Sequence, residues 1–144
     1  KVTQAAAIET QLRASGVAND PRTYSLYLAS RGAEPELALR LAKEELENRR
    51  DIFTYDAVAW AELAHGDAPA AEKTIQSALA EGTKDGRLFY HAAVIAAAVG
   101  KTADAQTYFT KAKALEQTLM PSERSGLEHR LALLPSPQAQ VSSR

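Results

Sequence analysis

The sequence predicts an all-α protein built from repeated helical hairpins, and three observations support this prediction. Glycine recurs at a fixed interval, at Gly32, Gly66 and Gly100, so each lies 34 residues from the next. Alanine is abundant and β-branched residues are sparse, which favours helix because alanine loses no side-chain entropy there. Apolar residues recur at three- and four-residue spacing between the glycines, as on one face of an amphipathic helix.

Composition limits the class of protein. The 144 residues suffice for one domain with a shared core, and 45% hydrophobic and 24% charged residues are ordinary for a globular protein. The formal net charge of −1 offers no basic surface to a phosphate backbone, so we expect no nucleic-acid partner. Cysteine is absent, which excludes disulfides, thiolate nucleophiles and zinc–thiolate sites. No apolar run reaches the roughly 18 residues needed to span a bilayer, so we expect no membrane insertion.

The N-terminal segment, residues 1–16, is predicted to form a flanking helix. Ala5, Ile8 and Leu12 fall on one face at helical spacing, and Gly16 is expected to end the helix. Because the chain begins at lysine, we also expect it to be a fragment or a processed product.

Three segments carry the signals of helical hairpins: residues 20–50, 51–83 and 85–119. Asp20 and Asp51 stand at expected helix starts, where an aspartate can accept a hydrogen bond from the first turn. The recurring glycine is expected to end the first helix of each hairpin. The second helices are expected to bury Leu37, Ala38, Leu41, Ala42 and Leu46, then Ala71, Ile75, Ala78 and Leu79, and then Ala105, Phe109, Ala112 and Leu115.

The C-terminal part is predicted to cap the hairpins. Residues 122–134 read as a helix that starts at Ser122 or Ser125, and Ser125 with Glu128 fits a capping box. Such a helix would cover the apolar side of the last repeat. Residues 135–144, rich in Pro, Ser and Gln, are expected to be a disordered tail or a linker.

Residues 20–115 resemble tetratricopeptide repeats, a family of 34-residue helix–turn–helix units. The matching positions of the second and third segments are Tyr55, Val58, Ala59, Gly66, Ala71, Ile75 and Ala78, and then Phe89, Ala92, Ala93, Gly100, Ala105, Phe109 and Ala112. The resemblance implies a right-handed α-solenoid of antiparallel helix hairpins with flanking and C-terminal capping helices. It also implies a bacterial-type protein, with cytoplasm and periplasm both left open.

The first segment is a degenerate copy of this pattern. Ala38 stands one residue later after Gly32 than the matching alanines of the other two segments do after their glycines. We therefore expect a longer turn around Ala33 and Glu34. The closing proline of the family is missing from the second and third segments.

Two short motifs resemble catalytic or ligand sites but fit structural roles better. Gly100-Lys101-Thr102 looks like the end of a phosphate-binding loop, yet the glycine required five residues earlier is Ile95, so we expect a hairpin turn capped by Thr102. Glu62 and His65 have the spacing of a helical metal-binding pair, but a metal site in a helical bundle needs two such pairs.

A lone histidine, His91, is expected to be a satisfied interior or groove residue, not a general base. We therefore expect no enzyme activity, no cofactor and no metal.

What remains is a binding surface. In the family, the first helix of each hairpin lines a concave groove, and the resemblance assigns partner contacts to eight positions. These candidates are Arg22, Leu26, Phe53, Asp56, Trp60, Arg87, Tyr90 and Val94. Trp60 is the one tryptophan, and Trp, Tyr and Arg are frequent anchors at interfaces. The alternative is that Trp60 simply packs against its neighbouring hairpin. The Lys/Asn clamp of the family members that bind chaperone tails is absent from these positions.

Three functional hypotheses remain open from the sequence. The leading hypothesis is a non-catalytic module that binds a peptide or protein segment in the groove. The alternatives are a structural role, by self-association as a homo-oligomer or as a spacer, and an accessory domain of a larger enzyme.

Overall fold

The computed structural model describes residues 2–133, and every regular element among them is helical. The helices are Val2–Asn19 (α1), Pro21–Arg31 (α2), Pro35–Asn48 (α3), Ile52–Ala64 (α4), Ala68–Leu79 (α5), Gly86–Ala98 (α6), Thr102–Ala114 (α7) and Pro121–Leu133 (α8), with a 3₁₀ turn at Glu116–Thr118. The all-α prediction is therefore confirmed. The predicted tail, residues 135–144, lies outside the described residues. The chain divides into two compact units, with the boundary between Gly82 and Thr83.

The three glycines at 34-residue spacing end α2, α4 and α6 with one shared pattern of hydrogen bonds. Each adopts a positive φ, 63°, 97° and 83° in chain order, which glycine accepts without strain. Each glycine N–H donates to the carbonyl three residues earlier. The following residue donates to the carbonyl five residues earlier, in the bonds Ala33 to Leu28, Asp67 to Glu62 and Lys101 to Ala96. The same turn closes each of the three helices, and its positive φ is the physical reason that glycine recurs there.

The turn of the first hairpin is longer than the other two, as predicted. The second helix begins at Pro35, three residues after Gly32, whereas α5 and α7 begin two residues after their glycines. The additional residue, Glu34, has a φ of 44°, the one positive value among the described residues other than glycine. The longer turn returns Ala38 to register, because it is fully buried as Ala71 and Ala105 are.

Aspartate caps start four of the helices. Side chains of Asp20, Asp51, Asp67 and Asp85 accept hydrogen bonds from the backbone N–H three residues later, at 3.1, 2.8, 3.1 and 2.9 Å. Each bond satisfies one of the N–H groups that a helix start leaves without a partner.

In the first unit, α2 packs on α3 and α4, α3 packs on α4, and α4 packs on α5. The apolar cluster shared by α2, α3 and α4 contains Leu28, Ala29, Ala38, Ala42, Ala57, Val58 and Ala61. Alanines dominate it because small side chains let helix backbones approach closely. The buried Ser25 hydroxyl has a partner, because it donates a hydrogen bond to the Ala38 carbonyl at 2.6 Å.

In the second unit, α6 and α7 form a hairpin, and α8 packs on both. Buried residues of the hairpin include Ala92, Ala93, Ala105, Phe109 and Ala112, which the repeat pattern placed in the core. Leu127 of α8 is fully buried as well.

The predicted end of the first helix is wrong, because α1 continues through Gly16 to Asn19. Gly16 is instead a position of close approach: a Cβ built there would lie 2.7 Å from Cγ of Tyr24. The glycine lets the Tyr24 ring lie against the α1 backbone. Of the predicted apolar face, Ile8 is 58% exposed. The side chains of Ala5 and Leu12 lie outside the described part of the chain.

Two predicted helix caps are also wrong. α8 begins at Pro121, where the fixed φ of proline suits a first helical position, so Ser125 lies inside the helix and cannot form a capping box. Thr102 is the first residue of α7, and Lys101 occupies the cap position, where its side chain makes no capping hydrogen bond.

Candidate functional site

Four of the five predicted contact residues of the first unit lie on one side of α2 and α4. We call this side the α2–α4 face: Arg22, Leu26, Phe53 and Trp60, with Ser30 and Asp51 at its ends. Residues 22, 26 and 30 follow one another at four-residue spacing on α2, and residues 53 and 60 are two helical turns apart on α4. Two cross-helix contacts join these rows.

The first contact is at the N-terminal ends of both helices. The Arg22 guanidinium lies over the Phe53 ring, 5.9 Å from its centroid, and also forms an ion pair with Asp51 at 3.5 Å. The Phe53 side chain is 50% exposed. Its ring is therefore held in place by a cation while much of its surface faces outwards.

The second contact is at the C-terminal ends. The indole N–H of Trp60 donates to the Ser30 hydroxyl at 3.0 Å, and the ring packs against the apolar cluster of the unit. Trp60 is half-buried, so it contributes to the core and still offers part of its surface. Because Arg22 meets Phe53 at one end and Ser30 meets Trp60 at the other, α2 and α4 run parallel along this face.

The α2–α4 face carries two opposite charges, those of Arg22 and Asp51, which are held together. Burial raises the pKa of Asp51, but hydrogen bonds from Thr54 and the charges of Arg22 and Arg49 outweigh it, so the pKa lies below its ordinary value. The Thr54 N–H and hydroxyl donate to the same carboxylate oxygen at 2.8 and 2.9 Å. Asp51 thus caps α4 and holds Arg22 with one ionised carboxylate.

The remaining predicted contact residues are placed differently. Asp56 is 4% exposed, so its side chain lies inside the first unit and offers no surface. In the second unit, the Nε and Nη2 groups of Arg87 reach the Glu123 carboxylate at 3.0 and 2.9 Å. Tyr90 and Val94 are 7% and 6% exposed.

Helix α8 explains the burial of Tyr90. The tyrosine hydroxyl points at Gly126, where any side chain would collide with it. The ring also lies 6.4 Å from the ring of Phe109, at a tilt of 53°. Arg87 and Tyr90 therefore serve the packing of α6 against α7 and α8, and the buried Asp56, Tyr90 and Val94 offer little surface to a partner.

The sequence-based prediction missed Ser30 and Asp51 on the face, and Glu123 and Gly126 as partners in α8. Helical spacing was a usable signal for Ser30, eight residues after Arg22. No local signal pointed from Arg87 to Glu123, which is 36 residues away.

The histidines and acidic groups considered for chemistry are apart from this face or buried. His91 is 2% exposed, beside Tyr90. Glu62 is 8% exposed, and burial raises its pKa despite a hydrogen bond from Thr74 and the charge of Lys43. His65 is exposed at the end of α4. Among the side chains that the structure describes, no three His, Cys, Asp or Glu residues are grouped as a metal ion would require.

No protein-family model matches the chain, and neither does any curated protein or solved structure. Among the described helices, none combines the length and apolar character needed to cross a membrane.

Proposed function

We propose that this protein is a non-catalytic binding module of the tetratricopeptide-repeat type, which holds a segment of a partner protein on the α2–α4 face. The observation that carries the proposal is the pair of aromatic side chains, Phe53 and Trp60, that α4 presents on one side with α2 alongside. Three hairpin turns with the same hydrogen bonds, closed by glycines 34 residues apart, support the repeat assignment.

The spacing of the aromatic residues suggests the form of the partner. Seven residues separate Phe53 from Trp60, which corresponds to about 10 Å along a helix at 1.5 Å per residue. Two apolar side chains at positions i and i+7 of a partner helix have the same separation and the same side. The half-buried Leu26 on α2 lies at the middle of the face. An amphipathic helix with apolar residues at i, i+4 and i+7 is therefore the proposed occupant.

Affinity purification tests this proposal with a matched pair of variants. Phe53 and Tyr27 are both aromatic, are 50% and 52% exposed, and both carry an arginine over the ring, but Tyr27 lies on another side of α2. The wild-type protein, Phe53→Ala and Tyr27→Ala would each be used to capture proteins from the source organism. We expect a partner retained by wild type and Tyr27→Ala, with at least about tenfold weaker retention by Phe53→Ala.

Circular dichroism of all three proteins controls for folding, since both positions are half-exposed and should tolerate alanine. Equal retention of every captured protein by the three baits would remove the α2–α4 face from the proposal. A captured partner whose binding segment is extended, with no helix in the complex, would contradict the proposed form of the occupant.

Self-association is a second candidate, favoured by one observation. Ile8 and Val17 of α1 are 58% and 36% exposed, and α1 packs on α2. A second copy could cover these apolar side chains. Sedimentation analysis should then show a mass that rises with concentration and falls back to that of the monomer in Ile8→Ser. A mass that stays monomeric at all concentrations would reject this candidate.

A further inference from the structure

A cleft of about 500 Å³ lies between α1, α2 and the turn that follows α2, away from the α2–α4 face. Its size falls within the range of small-molecule sites, about 300–1,000 Å³. The residues that line it include two tyrosines, Tyr24 and Tyr27, and two arginines, Arg13 and Arg31. Leu28 and Ala33 contribute apolar surface.

The tyrosines form an aromatic wall of the cleft. Their rings are stacked, with centroids 6.0 Å apart and planes within 15° of parallel. Tyr24 is held by its contact with the α1 backbone at Gly16, and Tyr27 is 52% exposed. The ring of a ligand can therefore pack edge-to-face against the exposed part of Tyr27 while Tyr24 stays fixed.

Arg31 is placed to bind an anion beside the wall. Its guanidinium lies over the Tyr27 ring, 5.4 Å from the centroid. A guanidinium has five N–H donors in a fork that suits a carboxylate, and the structure gives those of Arg31 no hydrogen-bond partner among the residues it describes. Arg31 has no ion pair with any acidic residue that the structure describes.

Arg13, the second arginine, is differently engaged. It forms an ion pair with Glu34 at 2.6 Å, and both side chains are nearly half-exposed. This pair is locally neutral, so the charge at this end of the cleft is that of Arg31. Asp20, the other acidic lining residue, stands 11 residues away at the opposite end of α2, about 16 Å along the helix, where its carboxylate caps the first turn.

We propose that this cleft is a second binding site, which takes a small aromatic carboxylate. The ring of the ligand packs edge-to-face against the exposed part of the Tyr24–Tyr27 wall, and its carboxylate accepts two hydrogen bonds from Arg31. The site is independent of partner binding on the α2–α4 face, so either proposal can fail without the other.

Nuclear magnetic resonance titration of the full isotope-labelled chain tests this site, with 4-hydroxyphenylacetate as the probe. A ligand of this size should bind in the range of about 1 mM. We expect saturable shift changes at the backbone amides of residues 27, 31 and 33. The matched probe 4-hydroxyphenylacetamide has the same shape without the charge, and it should bind about tenfold or more weakly because it loses a charged hydrogen-bond partner.

Variants locate the binding in the cleft. Arg31→Gln should weaken the carboxylate about tenfold and make it equal to the amide, whereas Arg40→Gln, at an exposed position of α3, should change neither probe. Equal affinity of the acid and the amide for the wild-type protein would overturn the proposal. So would unchanged binding to Arg31→Gln, or the absence of saturable shifts up to about 10 mM.

A third probe separates the two sources of an aromatic carboxylate. The tripeptide Gly-Gly-Tyr carries the same ring with a peptide C-terminus. If it binds about tenfold more tightly than 4-hydroxyphenylacetate, the natural ligand is a peptide end and the small-molecule assignment is overturned. Affinity equal to or weaker than that of the acid supports the small molecule.

Discussion

Helix α8 can be tested as the cover of Tyr90 by adding a single methyl group. Gly126→Ala places a Cβ against the Tyr90 hydroxyl, and Tyr90 is 7% exposed, so its ring has little room to move. The next tyrosine atom, Cζ, lies 3.4 Å from the same Cβ position, an ordinary contact. The collision therefore involves the hydroxyl, and Tyr90→Phe removes it.

The expected energies follow from two opposing effects. Alanine is better than glycine inside a helix by about 0.5–1 kcal/mol, and overpacking costs about 1–3 kcal/mol. In the wild-type background the second effect should exceed the first, so Gly126→Ala lowers the free energy of unfolding by about 1–2 kcal/mol. In the Tyr90→Phe background the collision is gone, and the same change should raise it by about 0.5–1 kcal/mol.

Urea denaturation of the four proteins in this cycle gives the coupling energy. Tyr90 takes part in other interactions, so Tyr90→Phe has its own cost, which the cycle subtracts. We expect a coupling of about 1–3 kcal/mol with an unchanged dependence on urea. Gly126→Ala having the same effect in both backgrounds, to within about 0.5 kcal/mol, would show that α8 does not cover this hydroxyl.

Three further tests address the packing and the charges. Ala71→Leu and Ala105→Leu enlarge fully buried residues, and each should lower the free energy of unfolding by about 1–3 kcal/mol in urea denaturation. The control Ala103→Leu, at an exposed position of α7, should be nearly neutral. Equal effects at the buried and exposed positions would mean that the helix register is wrong. The pKa of Glu62 is raised in the folded protein, so its ionised form lowers the stability above that pKa, and this cost disappears as the pH falls through it. Glu62→Gln should therefore unfold at a higher temperature than wild type at about pH 7. A lower melting temperature would contradict this. The pKa of Asp51 is lowered, so the stability that Asp51 contributes is present above its ordinary pKa and is lost as the pH falls through the lowered one. Asp51→Ala should therefore cost about 1 kcal/mol at neutral pH and less in acid. A difference in stability that does not change with pH would argue against the charged cap.

Local signals in the sequence predicted much of the fold. The turns at Gly32, Gly66 and Gly100 require a positive φ, which few residues other than glycine adopt. The spacing of these glycines therefore predicted where the hairpins lie. Aspartate caps act within three residues of the helix start, and the offset of Ala38 revealed the longer first turn. These features were predictable because their causes lie within one turn or one hairpin.

The binding surface was predicted less well because helical spacing identifies a side of a helix and not what covers it. Arg22 and Tyr90 occupied equivalent positions in the repeat pattern, two periods apart, yet Arg22 is partly exposed and Tyr90 is 7% exposed. The difference depends on Gly126, a residue that leaves room for the hydroxyl and carries no side chain to signal it. Gly16 was misjudged for the same reason, since close approach to Tyr24 looks in sequence like the end of a helix.

Trp60 offers the most direct test of binding at the α2–α4 face, because it is the one tryptophan of the chain and lies on that face. The captured partner segment, free of tryptophan, would be titrated against the protein while the tryptophan emission is recorded. We predict a saturable blue shift, because the bound helix would remove water from the exposed part of the indole, and an affinity about tenfold weaker for Phe53→Ala. Binding that calorimetry detects without any change in Trp60 emission would place the partner elsewhere and contradict the proposed function.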